Sequence, residues 1–164
     1  MLKETLRIIG INPGTRYLGL AIFQDWNLFD WRIKNLEGKW SITKIDKVIS
    51  AIKEQIELYD LNAIALKRVH PAVSSKNLRK LIDRIKSLAA GKRIKVYQYS
   101  IKEVEGILLA EGRHNKKSLA QKMAADYPVL IDELEKEKTN KNPYRMKMFE
   151  AVALGAACFQ KEYK

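Results

Sequence analysis

The sequence predicts an α/β domain built on a mixed sheet of about five strands. Three observations carry that expectation. Three short strand-like runs follow one another near the start with only turn residues between them. Strand and helix patterns then alternate from residue 43 to residue 97. A long apolar segment near residue 150 has the length of a helix. At 164 residues with a 46% apolar share, the chain has room for one core of ordinary size, so a single domain over residues 1–164 is expected.

Leu6 to Ile11 is a short apolar strand, stopped by Asn12, Pro13 and Gly14, which turn the chain for different steric reasons. Tyr17 to Phe23 is rich in aromatic and branched residues and reads as a second strand. Asp25 to Asn27 is a turn, and Leu28 to Ile33 alternates as a third strand, giving an antiparallel meander. From Thr43, apolar residues at Ile45, Val48, Ile49, Ile52 and Ile56 form the stripe of an amphipathic helix ending near Tyr59. Asn62 to Leu66 reads as a buried strand. Leu78, Leu81, Ile82, Ile85 and Leu88 form a second helix stripe, and Arg93 to Tyr97 is a strand after the Gly91 stop. Alternation of this kind favours parallel pairing through helical crossovers. The expected sheet is therefore antiparallel in its first three strands, parallel in the remainder, and flanked by helices.

Ser100 is placed to cap a helix with Glu103 at the capping-box position, and Asn115 to cap another. Met146 to Lys161 reads as a long helix with Phe149, Val152, Ala153 and Ala156 along its inner face. Asp132 to Asn142 is charged and poor in apolar residues, and reads either as a frayed helix end or as a mobile loop.

Composition narrows the function. There is no run of 18 apolar residues, and Met1 to Gly14 lacks the long apolar segment of a secretory signal, so a cytoplasmic protein without a membrane span is expected. The one cysteine, Cys158, excludes an internal disulfide and a multi-cysteine zinc site. Its apolar neighbours make it a buried small residue. The 31 Lys and Arg exceed the 19 Asp and Glu, leaving a formal charge of +12. Such an excess points to a polyanion, nucleic acid first, because each cation placed on a phosphate releases condensed counterions.

The excess is also concentrated. Ten basic residues lie between Lys67 and Lys95, among them Arg68, Lys76, Arg79 and Lys80, against one acid, Asp83. A solvated helix face normally mixes signs. Arg113, His114, Lys116, Lys117 and Lys122 form a second basic cluster, so the two could frame one groove.

Between the first two strands, Gly10, Asn12, Gly14, Thr15 and Gly19 sit in the run G-I-N-P-G-T-R-Y-L-G. A tight hairpin needs glycine where φ is positive or where backbones approach closely. The run resembles the G-I-D-P-G-S/T motif of the RuvC family of Holliday-junction resolvases, within the ribonuclease H-like superfamily. The likeness extends along nearly the whole chain. Ala63 to Val69 is similar to that family's strand ending in A-I-E-Q-V, and Val96 to Val104 to its next strand and helix start. Arg113 to Ser118 resembles the lead into the following helix, and Lys147 to Leu154 the final D-A-A-D-A-L-A helix.

The resemblance implies a ribonuclease H-like fold, branched DNA as partner, a symmetric homodimer, and phosphodiester cleavage with two magnesium ions. The family's ligand positions fall on Asn12, Lys67, Lys147 and Glu150. Four carboxylates would bring about −4, whereas these four residues sum to about +1. A two-magnesium site is therefore not expected, and the reading is a degenerate resolvase that binds DNA, with no cofactor. Lys67 and Lys147 would hold a phosphate where metals sat. Arg68, His70, Lys76, Arg79, Lys80, Lys116 and Lys117 would complete the contact surface.

His70 matches a family loop Phe that probes the junction centre, and an imidazole also stacks on a base. Lys117 matches a basic residue near the cut strand, while Glu105 stands where another basic residue is usual. Three alternatives compete. An active magnesium nuclease could combine Glu150 with displaced acids such as Asp25 or Asp30. The chain could be a non-catalytic interaction subunit. Asn12 to Gly19 is also similar to the phosphate hairpin of actin-like and sugar kinases, but those need two such domains.

Overall fold

A computed structural model describes residues 4–109, 111–139 and 144–163. Strands β1 (Arg7–Asn12), β2 (Tyr17–Gln24) and β3 (Asn27–Asn35) form the expected antiparallel meander. Helix α1 (Ile42–Leu58), capped by Ser41, leads to β4 (Ala63–Lys67), which pairs parallel to β1. Helix α2 (Lys76–Gly91), capped by Ser75, leads to β5 (Lys95–Tyr99), parallel to β4. The sheet order is β3-β2-β1-β4-β5. Helices α3 (Ile101–Leu108), α4 (Lys116–Asp126), α5 (Ile131–Thr139) and α6 (Tyr144–Cys158) follow. Ser100 and Glu103 make the full capping box, and Asn115 caps α4 through the Ser118 N–H.

The period-2 alternation of the strands sorts the core into two layers. Ile9, Ile11, Leu20, Ile22, Ile64 and Leu66 face α1 and α2, a layer of large branched side chains. The other face presents Ala21, Ala63 and Ala65 toward α6. Gly10 and Gly19 complete this shallow face: a Cβ on Gly10 would meet the Ala151 carbonyl oxygen at 2.2 Å, and one on Gly19 the Lys147 carbonyl oxygen at 2.2 Å. Neither glycine has positive φ. Close approach of α6, not turn geometry, is what requires them.

Several local expectations are corrected. Gly91 is the last residue of α2; Lys92 caps the helix and Arg93, at φ 56°, makes the left-handed turn, so β5 starts two residues later than expected. The final helix is α6, and Met148 to Cys158 are buried on every side rather than along one face, because sheet, α3 and α4 enclose it. After Cys158 the chain widens into a π-turn, Phe159–Tyr163, where a continuous helix was expected. The charged segment is helical over α5, and residues 140–142 of it lie outside the described residues.

Cys158 is buried, as expected. Burial pushes its thiol pKa up to about 12, Glu162 adds to the rise, and the Tyr99 hydroxyl opposes it. Burial likewise raises Tyr99 and Tyr127. A group whose folded pKa is raised contributes stability below its unfolded pKa and loses it as pH climbs toward the folded value. The unfolding free energy from urea titrations should therefore fall from about pH 9 upward, at up to about 1.4 kcal/mol per pH unit for each group titrating. Cys158→Ala should flatten that slope between about pH 9 and pH 12; an unchanged slope would deny the thiol its part.

Candidate phosphate and nucleic-acid site

The parallel register sets Ile11 beside Leu66, so Asn12 and Lys67, the last residues of β1 and β4, end side by side at the carboxyl ends of two central strands. Ligands of open α/β sheets bind outside these carboxyl ends. Lys147 and Glu150 lie three residues apart on α6 and so share a face. The Gly19 contact fixes the height of that helix over the sheet. Gly19→Ala should cost about 1–3 kcal/mol, because the clash is with backbone that cannot rotate away. A Cβ added at Gly106 on α3 would meet nothing within 4 Å among the described residues, so Gly106→Ala should be neutral or stabilising by up to about 1 kcal/mol. Denaturant midpoints of the two variants compare these directly.

Glu150 is the centre of the cluster and is 2% exposed. Its Oε2 accepts from Asn12 Nδ2 at 2.9 Å and from Lys67 Nζ at 3.2 Å, and its Oε1 lies 3.6 Å from Lys116 Nζ. Asn12 Nδ2 also reaches the Lys147 carbonyl at 3.3 Å. Two acceptors on that side fix the amide's orientation and leave its Oδ1 buried without a partner among the described residues. Lys147 Nζ has no hydrogen-bonded or ion-paired acceptor among the described residues. Burial first, and the Lys67 charge second, hold its pKa below the ordinary lysine value; Glu150 works the other way.

Lys67, Lys116, Lys147 and Glu150 line one cleft of about 370 Å³. Lys67 and Lys147 therefore share a cavity instead of extending separately into solvent. Lys67 also walls an adjoining cleft of about 200 Å³ with Arg79 and Lys86. Cations thus run continuously across the strand ends. Among the described residues, no three His, Cys, Asp or Glu side chains gather where they could hold a metal ion.

The other residues expected at the contact surface divide. Lys76 and Lys80 are exposed on α2. Arg79 Nη1 donates to the Pro71 and Ser74 carbonyls, bracing the loop before α2. Exposed His70 accepts from the Ala72 N–H through Nδ1 and caps the 3-10 turn Pro71–Val73. Lys117 is exposed on α4 but lines a neighbouring cavity rather than the Glu150 cleft. Arg68 turns away: it pairs with Glu103 and donates to the Gln98 carbonyl at 3.0 Å. Glu105 is buried on α3, so its acid does not interrupt the basic surface.

Asp25 sits at the β2–β3 turn and accepts from the Leu6 N–H, beyond the opposite end of β1 from Asn12. Asp30 pairs with Arg32 on edge strand β3. Neither approaches Glu150. Sequence reasoning missed Tyr17, Glu137, Tyr144 and Met146, which complete the cleft lining. The only sequence signal was two Arg–Tyr neighbours, Arg16–Tyr17 and Tyr144–Arg145, far apart in the chain.

No family model matches the sequence, and no curated protein matches it either. Solved structures do. RuvC of Thermus thermophilus superposes with a TM-score of 0.71 at 13% identity, covering 93% of this chain and 95% of that one. The same protein in complex with a Holliday junction substrate gives 0.67 at 14%, covering 93% and 94%. Ydc2, the yeast mitochondrial Holliday junction resolvase, gives 0.62 at 15%, covering 98% and 81%. No helix among the described residues is long and apolar enough to cross a membrane. From the first meander to the last helix, this chain has the fold of the RuvC resolvases.

Proposed function

We propose that this protein binds branched DNA through the lysine cluster at the strand ends and does not cut it. The observation that carries the reading is the state of Glu150: the one carboxylate among the four positions is already engaged by an amide and two ammonium groups. Magnesium binds oxygen ligands and needs carboxylates to anchor it. Asn12, Lys67 and Lys147 supply one neutral oxygen and two ammonium groups, which would repel a divalent ion at close range by several kcal/mol at an effective dielectric near ~20. These residues do not fit a metal pair. Lys147, half-buried and lacking an acceptor among the described residues, fits a phosphodiester oxygen instead.

The solved complex of Thermus thermophilus RuvC with a Holliday junction supports the choice of branched DNA. Two copies of this chain on one two-fold junction would match the symmetry of that substrate. The placements of Asp25 and Asp30 count against the rearranged nuclease. An assay that reads binding and cleavage of a four-way junction in parallel tests the proposal. Binding in EDTA is expected, with log K falling linearly against log salt, and no product in Mg²⁺ or Mn²⁺. Metal-dependent product would refute it, and absence of salt-dependent binding would leave an interaction subunit.

A further inference from the structure

Beside its lysines the cleft has an aromatic part that phosphate binding leaves unused. Tyr17 and Tyr144 stack with ring centroids 5.7 Å apart and 29° between planes. Each ring also carries a guanidinium, Arg16 at 5.5 Å from the Tyr17 centroid and Arg145 at 4.9 Å from that of Tyr144. Rings interleaved with cations, next to a phosphate position, are the elements of single-strand recognition. A second, independent observation lies in the same cleft. Glu137 Oε2 is buried and has no hydrogen-bond partner among the described residues, and burial raises the Glu137 pKa against the opposing Arg145 charge. A buried acceptor without a donor points to a donor supplied by a ligand.

We propose that this cleft is a subsite for one unpaired nucleotide, with its phosphate on Lys67 and Lys147, its base against the Tyr17–Tyr144 pair, and an exocyclic amino group donating to Glu137. The inference rests on the nucleic-acid reading above and adds to it the state of the strand. A volume of about 370 Å³ is that of a small-ligand pocket and admits no duplex. A paired base has its faces stacked and its edge bonded, so only an unpaired one can present both. Among pyrimidines, cytosine offers the amino donor a carboxylate accepts, whereas thymine offers a carbonyl in its place.

Fluorescence anisotropy at one fixed salt concentration tests this with a four-way junction, a paired duplex, and the same duplex carrying a single cytosine or thymine bulge. The cytosine bulge should bind roughly tenfold more tightly than the paired duplex, with thymine between them. Tyr144→Ala should erase the bulge preference and Tyr144→Phe keep it, while Glu137→Leu should make the two bulges equal. Equal affinity of wild-type protein for paired and bulged duplexes, with junction binding intact, overturns the subsite alone. Equal binding of the two bulges overturns the role of Glu137. Failure to bind any probe instead overturns the nucleic-acid reading. The wild-type comparison needs no variant, so a misfolded Tyr144→Ala does not weaken it.

Discussion

Exchanging Lys67 and Lys147 together for glutamine should weaken binding to a four-way junction on the order of 100-fold at moderate salt, taking about 1.5 kcal/mol for each charged hydrogen bond. The slope of log K against log salt should become shallower by about two, because each lysine on a phosphate accounts for roughly one released counterion. The two residues come from β4 and α6 and meet only in the folded cleft. Their loss leaves the Asn12 and Lys116 contacts to Glu150 in place, so the fold should survive. Salt titrations of wild type and variant measure both quantities. An unchanged slope would place the phosphates elsewhere on the basic surface.

Removing Glu150 should act on stability instead. Glu150→Gln keeps the shape but deletes the negative charge shared by Lys67 and Lys116 and felt by Lys147. Breaking a buried ion pair from one side costs about 3–5 kcal/mol, and the lower end applies because Lys67 and Lys116 keep access to water. For a chain of this size the thermal midpoint should fall by roughly 6–12 °C. Inorganic phosphate should recover more of that loss in the variant than it adds to wild type, since an anion that binds only the folded state stabilises it. A variant as stable as wild type, or one indifferent to phosphate, would show that the three ammonium groups do not need a counter-charge.

Much of the architecture was legible because burial on both faces of the sheet leaves a readable period. The stripe of Ile45, Val48, Ile52 and Ile56 located α1, and the apolar runs located β1, β2 and β4. Legibility failed where an element has no polar side to mark its boundary. Enclosed helix α6 shows no one-sided stripe over Met148 to Cys158. It failed also at the end of α2, where the stop was placed on Gly91 but the left-handed turn falls on a non-glycine residue, Arg93. The glycines of the first motif were recognised, but the reason for Gly10 and Gly19 is the backbone of α6, more than 120 residues away in sequence, and only Gly14 answers to a local contact, the Tyr17 carbonyl.

The same distinction governs the site. Asn12, Lys67, Lys147 and Glu150 could be aligned with a family pattern and do come together. Tyr144 and Glu137 carry no periodic or motif signal, and only the packing of α5 on α6, and of α6 against β2, brings them into the cleft. Arg68 illustrates the converse: it belongs to the basic run in sequence, yet it faces Glu103 and spends its charge there.

Anomalous scattering from crystals soaked in manganese addresses the central claim most directly. No paired peaks are expected between the ends of β1 and β4 and helix α6, with Glu150 still held by Asn12 and Lys67. Two manganese ions there, with the lysine side chains displaced from the carboxylate, would contradict it.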